Sequence, residues 1–488
     1  MRSWIVTTAM LLGLALPMLA RAETACATLM SVKLPHAEVT SATTETLASG
    51  EACKVTVTSR PTTDSDIRIE VLIPRGSAWN GKFVQVGNGG LAGAIPSGQI
   101  RLRAETGYAS AGTDDGHVGN GRTAVWALGH PEKIRDFGTR SLKETADAAK
   151  ALIRAQKGDG PQQSYFAGCS AGGREALMMA QRYPTVFDGI VAGAPANYNT
   201  LITGGRAHMQ QMLHRPGGYL ALADLQLLQD TALKTCAAGG AFIRDQKACR
   251  FDPGVLQCKT AAKSGQCLTA PQVASARALY NGRPGSDGRS RFPGYAPGAE
   301  ALAGGFQAWN TGQSFESIRE SAGHSISTQF LKYFVYGDPA FDFLKADFGP
   351  KYDRDSRKVA AELDAVNADL SPFKAHGGKL IQYHGWNDPA IPPLGSVRYH
   401  DEMRSRMGDT SGFYRLYMVP GMLHCSGGAG PGRVDYLDVL DRWVTKREAP
   451  ASLIAKADKG DETQLLCPYP GVARADGKGG WVCAGTKQ

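Results

Sequence analysis

The chain has 488 residues, of which 42% are hydrophobic and 20% charged, and its formal net charge is +9 at pH 7. This content excludes a disordered chain, and the length suits one large α/β domain of roughly 200–300 residues with an insertion or second domain. The basic residues are scattered and form no runs interleaved with aromatic residues, so the charge predicts a solubilising surface and not a nucleic-acid interface.

Residues 1–22 have the pattern of a secretory signal peptide. Arg2 precedes an apolar run, and Ala20-Arg21-Ala22 fits the small-x-small rule for cleavage. The run is too short to span a bilayer, and no later run of about 18 apolar residues occurs. We therefore expect an exported, soluble protein in the periplasm or the medium, with no membrane insertion.

Ten cysteines in an exported chain predict a disulfide framework. Short spacings favour four local pairs and leave two distant cysteines for each other, although the sequence alone leaves the connectivity formally open. A zinc site is not favoured, because no C-x2-C pair occurs. The favoured pairs are Cys26 with Cys53, Cys236 with Cys249, Cys258 with Cys267, Cys467 with Cys483, and Cys169 with Cys425.

Strands and helices alternate along much of the chain. We predict helices at 137–157, 173–183, 220–234 and 433–446. We predict strands at 54–58, 67–73, 82–86, 108–113, 164–167, 188–193, 379–384 and 413–419. Such alternation indicates a largely parallel sheet that is covered by helices on both faces.

A serine lies at the turn between the strand at 164–167 and the helix that follows it. The sequence Gly168-Cys169-Ser170-Ala171-Gly172 is typical of a nucleophile elbow, in which glycines keep side chains away from the serine hydroxyl. The amide of Ala171 would then point at an acyl oxyanion. The motif alone is weak, because small residues also surround serines in ordinary turns.

A glycine-rich loop, Gly87-Asn88-Gly89-Gly90, follows the strand at 82–86. Hydrolases that have a nucleophile elbow place their second oxyanion amide in such a loop, and we predict this role for Gly89 and Gly90. The alternative is a simple turn at the end of a strand. Neither of the glycine patterns that bind nucleotide phosphates is present.

Between residues 200 and 369 the alternation gives way to helical stretches, cysteine-bounded loops and an aromatic-rich segment. We predict a lid that is inserted into a hydrolase domain formed by residues 23–199 and 370–488. Most of the lid's aromatic residues should be core and some should face the serine. They include Phe306, Trp309, Phe315, Tyr333, Phe334, Tyr336, Phe341 and Phe343.

A serine nucleophile needs a histidine base, and the base needs a carboxylate to hold its tautomer. Asp388 and His424 each follow a strand near the end of the chain, and the order Ser, Asp, His is that of α/β-hydrolases. We interpret His384, which lies inside a strand, as a buried structural residue. Asp114 and Asp115 are weaker candidates for the acid, because they precede the serine.

Cys169-Ser170, Asp388 and His424-Cys425 resemble the serine, aspartate and histidine signature, with its flanking disulfide, of the tannase and feruloyl esterase family. The disulfide would hold the serine and histidine loops together. The resemblance extends over nearly the whole mature chain, in the segments GNGGLAG (87–93), FAGCSAGGREAL (166–177), CRFDP (249–253), YFVYGDP (333–339), GGKLIQYHGWNDPAIPP (377–393) and PGMLHC (420–425).

This resemblance implies an α/β-hydrolase with a lid that hydrolyses esters of aromatic acids, such as gallates, hydroxycinnamates or terephthalate monoesters. It implies Ser170, Asp388 and His424 as the catalytic triad, and the amides of Ala171 and the Gly89-Gly90 loop as the oxyanion hole. The only partner implied is the small ester, and the oligomeric state is not indicated. Two alternatives are a non-catalytic secreted binding protein on the same fold, which the intact triad disfavours, and a serine peptidase.

Many members of this family resemble one another in a lid loop that lies between two cysteines and carries several aspartates, which suits calcium because calcium takes six to eight oxygen ligands. The equivalent loop here, residues 236–249, holds one carboxylate, Asp245, between Arg244 and Lys247. We therefore expect no calcium in this lid and no other cofactor.

Overall fold

The structure is a computed structural model that describes residues 23–260, 266–285 and 290–485. The predicted signal peptide, residues 1–22, lies outside the described residues. Among the helices that are described, none combines the length and the apolar character needed to cross a membrane.

The strands form one large sheet and three small two-stranded ribbons. The first seven strands belong to the large sheet and are β1 (Ala37–Leu47), β2 (Gly50–Ser59), β3 (Ile67–Pro74), β4 (Lys82–Val86), β5 (Ala109–Thr113), β6 (Gln163–Cys169) and β7 (Gly189–Gly193). The remaining strands are β8 (Arg283–Pro284), β9 (Ser290–Phe292), β10 (Lys379–Gly385), β11 (Tyr414–Val419), β12 (Leu453–Lys456), β13 (Thr463–Leu466), β14 (Val472–Ala475) and β15 (Trp481–Ala484).

The large sheet has nine strands in the order β1-β2-β3-β5-β4-β6-β7-β10-β11. Neighbouring strands are parallel in the part of the sheet formed by β5, β4, β6, β7, β10 and β11. At the other edge, β1, β2, β3 and β5 pair antiparallel. Strands β5 and β7 are buried along their whole length, as expected for parallel strands that are covered on both faces. The predicted α/β class with a largely parallel sheet is confirmed.

The helices flank this sheet and build the insertion. They are α1 (Ser97–Glu105), α2 (Pro131–Arg135), α3 (Ser141–Lys157), α4 (Ala171–Arg182), α5 (Asn199–Leu213), α6 (Leu222–Cys236), α7 (Ala270–Asn281), α8 (Ala322–Phe330), α9 (Pro350–Asp355), α10 (Arg357–Leu363), α11 (Ser371–Ala375), α12 (Leu394–Met407) and α13 (Tyr436–Lys446).

Alternate side chains of each strand enter different hydrophobic clusters. In β6, Phe166 belongs to the cluster that also contains residues of α3, α4 and α12, and its neighbour Tyr165 belongs to the cluster that contains residues of α13. Leu380 and Ile381 of β10 divide in the same way. This two-residue period follows from the pleat of a strand, and it gives the sheet an apolar layer on both faces.

Residues 200–369 contribute a hydrophobic cluster of their own. Its buried members include Met209, Leu213, Leu225, Leu228, Val273, Leu279, Tyr295 and Phe306. A second cluster joins the insertion to the hydrolase domain, where Phe334 packs against Phe137 and Trp126. The predicted boundary at residues 199 and 200 falls in the first turn of α5, and the domain division stays a prediction.

All ten cysteines are paired, and the pairs are the five that the spacing favours. Four of the disulfides close local loops. The fifth joins Cys169, at the end of β6, to Cys425, which lies 256 positions later. A disulfide stabilises mainly by restricting the unfolded chain, and in the chain-entropy model its effect grows with the length of the loop that it closes.

Replacing Cys169 and Cys425 together by alanine should therefore destabilise the protein more than replacing Cys467 and Cys483, which are 16 positions apart. The chain-entropy model gives about 5 kcal/mol for the long loop and about 3 kcal/mol for the short one. The urea midpoints of the two double variants, each compared with the unmodified protein, test this order. A smaller shift for the Cys169→Ala/Cys425→Ala variant would contradict it.

Candidate active site

Ser170 lies at a sharp turn between β6 and α4. Its backbone has φ 66° and ψ −121°, in the left-handed half of conformational space that residues with a side chain rarely adopt. The turn is held on both sides, because the Ser170 N–H donates to Gly193 O at 3.0 Å and the Ser170 carbonyl accepts the N–H of Ala196 at 3.1 Å. This strained strand-turn-helix is the geometry of a nucleophile elbow.

The glycines beside Ser170 allow a close approach of backbone segments. A Cβ atom on Gly168 would lie 2.5 Å from Gly172 O, and one on Gly172 would lie 2.9 Å from Asn88 O. Because neither glycine has a Cβ atom, the backbones come close enough for the Gly172 N–H to donate to Asn88 O at 2.8 Å. The glycine-rich loop after β4 is thereby attached to the first turn of α4.

This attachment places the two predicted oxyanion donors on one edge of the sheet. Ala171 is the residue before Gly172 and Gly89 is the residue after Asn88, so each follows directly from one partner of the hydrogen bond. Gly89 faces open space where a Cβ atom would be, whereas the same position on Gly90 lies 2.3 Å from Gly121 O. The assignment of Ala171, Gly89 and Gly90 as oxyanion amides stays a prediction.

The structure brings Asp388 and His424 together. Nδ1 of His424 lies 2.7 Å from Oδ2 of Asp388, and the Asp388 side chain is fully buried while that of His424 is 12% exposed. A carboxylate only accepts hydrogen bonds, so the proton of the pair lies on Nδ1 and Nε2 of a neutral His424 is free to act as a base.

The Asp388 carboxylate accepts four hydrogen bonds. Its Oδ1 receives the N–H groups of Ala390 and Ile391 at 2.7 and 2.8 Å, and its Oδ2 receives His424 and His384. Burial by itself would raise the pKa of Asp388, but the charge and hydrogen bonds of the two histidines hold that pKa well below the usual carboxyl range. The carboxylate is therefore ionised beside His424.

His384 takes a part in this arrangement that the sequence analysis missed. Its ring is fully buried, with Nε2 3.1 Å from Asp388 Oδ2 and Nδ1 2.7 Å from Ser396 Oγ. Both acceptors near Nε2, Asp388 and the carbonyl of Ile391, require Nε2 to be the donor. The sequence does hold a signal for this contact. His384 lies one residue before the end of β10, and Asp388 follows four residues later in the loop, so the chain can turn back and bring the two side chains together.

The disulfide between Cys169 and Cys425 connects the two halves of the site. The Cα atoms of these neighbours of Ser170 and His424 are 6.0 Å apart. Within the described part of the chain, Ser170 Oγ makes no hydrogen bond, so the structure joins the acid to the base but not the base to the nucleophile. Catalytic hydrogen bonds often close only when substrate is bound.

The insertion contacts both the base and the acid loop. The Trp309 ring meets the His424 ring edge to face, with centroids 5.0 Å apart. Next to it, Asn310 Nδ2 donates to the carbonyl of Pro389 at 2.9 Å. Of the other predicted lid aromatics, Phe343 is buried in the core and Phe315 is exposed at the surface. Which of them face the serine stays a prediction.

The loop between Cys236 and Cys249 does not fit a calcium ion. Asp245, its one carboxylate, accepts the N–H of Ala248 at 3.2 Å and lies 3.5 Å from Arg474. Across residues 23–260, 266–285 and 290–485, no cluster of three or more acidic, histidine or cysteine side chains is arranged to hold a metal. No step of the chemistry is therefore assigned to calcium.

Comparisons with known proteins agree with the geometry. A model of the tannase and feruloyl esterase family matches residues 53–488. An uncharacterised esterase from Xanthomonas campestris pv. campestris is 34% identical over 525 residues, which cover 94% of this chain and 90% of that protein. A mono(2-hydroxyethyl) terephthalate hydrolase from Piscinibacter sakaiensis is 32% identical over 489 residues, which cover 85% of this chain and 80% of the hydrolase.

The fold has a counterpart of known structure. The crystal structure of feruloyl esterase B from Aspergillus oryzae matches with a TM-score of 0.84 at 24% sequence identity, over 94% of this chain and all of that one. At this identity the likeness concerns the fold, and it confirms an α/β-hydrolase. The chain belongs to the tannase and feruloyl esterase family and is a carboxylic ester hydrolase.

Proposed function

We propose that this protein hydrolyses esters of aromatic acids with Ser170 as nucleophile, His424 as base and Asp388 as the acid that orients the base. The observation that carries the proposal is the 2.7 Å contact between His424 and Asp388, next to a disulfide that leads directly to the strained turn at Ser170. This is the arrangement that nucleophilic acyl transfer requires.

In the proposed reaction, Nε2 of His424 takes the proton of Ser170 Oγ as that oxygen attacks the ester carbonyl. The oxyanion of the tetrahedral intermediate accepts hydrogen bonds from the amides of Ala171 and the Gly89-Gly90 loop. His424 then returns the proton to the departing alcohol. Water then enters and gives a proton to His424 as it attacks the acyl-enzyme. His424 passes that proton to Ser170 Oγ as the bond to the acyl group breaks, which releases the carboxylic acid and restores the enzyme.

The aromatic class of the acyl group is supported by two findings. The Trp309 ring lies beside His424, where an apolar ring of the substrate would find an aromatic partner. The names of the family and of the terephthalate hydrolase also refer to esters of aromatic acids. Turnover of methyl gallate, methyl ferulate, chlorogenate and a terephthalate monoester, measured side by side with an aliphatic ester, tests the class.

We also propose that the protein works outside the cytoplasm, in the periplasm or the medium. Five disulfides support this location, because disulfides persist in oxidising compartments. The measurement is cell fractionation of a producing strain, with mass analysis of the amino terminus. Recovery of the protein in the cytoplasm with residues 1–22 attached would contradict the proposal.

Replacing Ser170 by alanine should abolish ester hydrolysis and leave the fold intact. Losing the nucleophile of a triad lowers kcat by about 10⁴- to 10⁶-fold. A phosphonate ester should add once to the unmodified protein, at Ser170 by peptide mapping, and not to the variant. An active Ser170→Ala variant with unchanged circular dichroism would support the binding-protein alternative and remove the catalytic assignment.

Replacing Asp388 by asparagine should lower kcat by about 10⁴-fold, because an amide in place of the carboxylate favours the wrong tautomer of His424. The matched control is Asp114→Asn, in which the lost carboxyl is also buried but, among the described residues, accepts only the backbone N–H groups of Arg68 and Gly116. Steady-state kinetics of the two variants compare them. A larger loss in the Asp114 variant would show that the acid is misassigned.

We further propose that the protein needs no calcium. Exhaustive dialysis against a chelator should change neither the melting temperature nor the esterase rate, because the only carboxylate of the loop 236–249 already contacts Ala248 and Arg474. Metal analysis by mass spectrometry before and after dialysis is the measurement. One bound calcium per chain, whose removal lowers the melting temperature, would contradict the proposal.

A further inference from the structure

A cluster of buried ionisable side chains lies beneath the glycine-rich loop. Arg174 and Glu175 follow one another on α4, and Asp115 comes two residues after the end of β5. All three side chains are fully buried. Groups of this kind are rarely buried unless they are paired, so their presence next to the site calls for a physical account.

Glu175 holds the backbone N–H of Asn88, the residue before Gly89. Its Oε2 accepts the N–H of Asn88 at 3.0 Å, while the Asn88 carbonyl accepts the N–H of Gly172 at 2.8 Å. The Asn88 side chain donates to Thr113 O at 2.7 Å. The loop is therefore fixed at the backbone N–H, the backbone carbonyl and the side chain of Asn88, and Glu175 is the charged partner among the three.

Arg174 is the cation of the cluster. Its Nη1 and Nη2 donate to the carbonyls of Gly138 and Phe137, each at 3.0 Å, and Nη2 lies 3.8 Å from Oε1 of Glu175. One buried cation balances one buried carboxylate. If Asp115 were ionised as well, the cluster would carry a net negative charge in a site without solvent.

The hydrogen bonds of Asp115 and Glu175 indicate how the second carboxyl group avoids an uncompensated charge. Ser141 Oγ donates to Asp115 Oδ1 at 3.1 Å, but Asp115 Oδ2 and Glu175 Oε1 are buried without any donor among the described residues. The two carboxyl groups lie within hydrogen-bonding reach of each other. A single proton between them satisfies both oxygens at once, whereas two carboxylates would repel.

The directions of the pKa shifts agree with one shared proton. Burial, and then the charge of Glu175, raise the pKa of Asp115 well above its usual value. Burial raises the pKa of Glu175 too, but Arg174 and the Asn88 N–H oppose the rise. Glu175 has the Asn88 N–H and the nearby Arg174 guanidinium to stabilise its charge. Asp115 accepts a hydrogen bond only from the Ser141 hydroxyl among the described residues, so Asp115 is the partner that keeps the proton.

We propose that Glu175 is a positioning residue for the oxyanion loop, and that a neutral Asp115 donates its proton to Glu175 Oε1 so that the unit with Arg174 has no net charge. The inference rests on the proposed function, because the loop matters only if Gly89 or Gly90 binds an oxyanion. A neutral unit also avoids a further negative charge beneath the developing oxyanion.

Replacing one acid at a time by its amide tests whether the cluster needs one negative charge, as proposed, or two. In Glu175→Gln the amide still accepts the Asn88 N–H and donates to an ionised Asp115, which then balances Arg174. In Asp115→Asn the new amide donates to Glu175. Each single variant should retain most of kcat and melt within a few degrees of the unmodified protein.

The double variant Glu175→Gln/Asp115→Asn removes both acids of the cluster from beside the buried Arg174 and leaves only the more remote charge of Asp364 to oppose that of Arg174. It should lower the melting temperature far more than the two single effects added together. Glu144→Gln on α3, whose carboxylate accepts the hydroxyl of Ser59, is the control for an acid-to-amide exchange outside the cluster. Additive effects in the double variant, or a single variant that melts well above the unmodified protein, would overturn the neutral unit.

Glu175→Ala tests the positioning role, because it removes the acceptor of the Asn88 N–H. Its kcat should fall by about 10²-fold while KM changes by less than about threefold, and Glu175→Gln should restore most of the loss. Equal losses in Glu175→Ala and Glu175→Gln would overturn the role. If the alanine variant does not fold, a kcat in Glu175→Gln that falls about 10²-fold while the variant stays folded would overturn it.

The unfolding measurements need no substrate. If the unmodified protein hydrolyses none of the aromatic esters, the proposed function fails, and the double-variant cycle still decides whether the buried unit shares one proton. If the esters are hydrolysed and the cycle is additive, the proposed function stands and this inference fails.

Discussion

The hydrogen bond from the Gly172 N–H to Asn88 O depends on a backbone contact that tolerates no side chain. It joins the loop after β4 to the first turn of α4, and Ser170 keeps its left-handed backbone within the same turn. A loop attached in this way has few ways to move, so its backbone N–H groups keep one orientation. Donors that are oriented before the reaction are what the proposed oxyanion hole would require, since electrostatic stabilisation of this kind is usually the largest single contribution to catalysis.

The other half of the site comes from a distant part of the chain and is fixed differently. Asp388 is set by backbone N–H groups of its own loop and by His384, and it orients His424 from one side. The disulfide at Cys425 holds the histidine loop from behind, and Trp309 of the insertion covers the ring. The insertion thus contacts the proposed base and the loop of the proposed acid.

The central strands of the sheet could be predicted from the sequence, because their local apolar pattern decides their structure. Strand β4 has the predicted bounds, and β7 and β10 differ from them by one residue, because each is a short apolar run between turns. Strand β1 was missed because its sequence, AEVTSATTETL, is polar on both sides and stays largely exposed at the antiparallel edge. Tertiary pairing with β2, rather than an apolar pattern, makes it a strand.

The buried cluster of Arg174, Glu175 and Asp115 could not be predicted from the sequence for a different reason. The order of the chain makes Asp115 a weaker candidate for the triad acid, because it precedes the predicted nucleophile, and the assignment of that acid stays a prediction. However, β5 pairs in parallel with β4, and β4 with β6, so residues that follow these strands meet at one edge of the sheet whatever their order. The order of residues along the chain predicts which residues react, whereas the order of strands in the sheet determines which buried residues lie beside them.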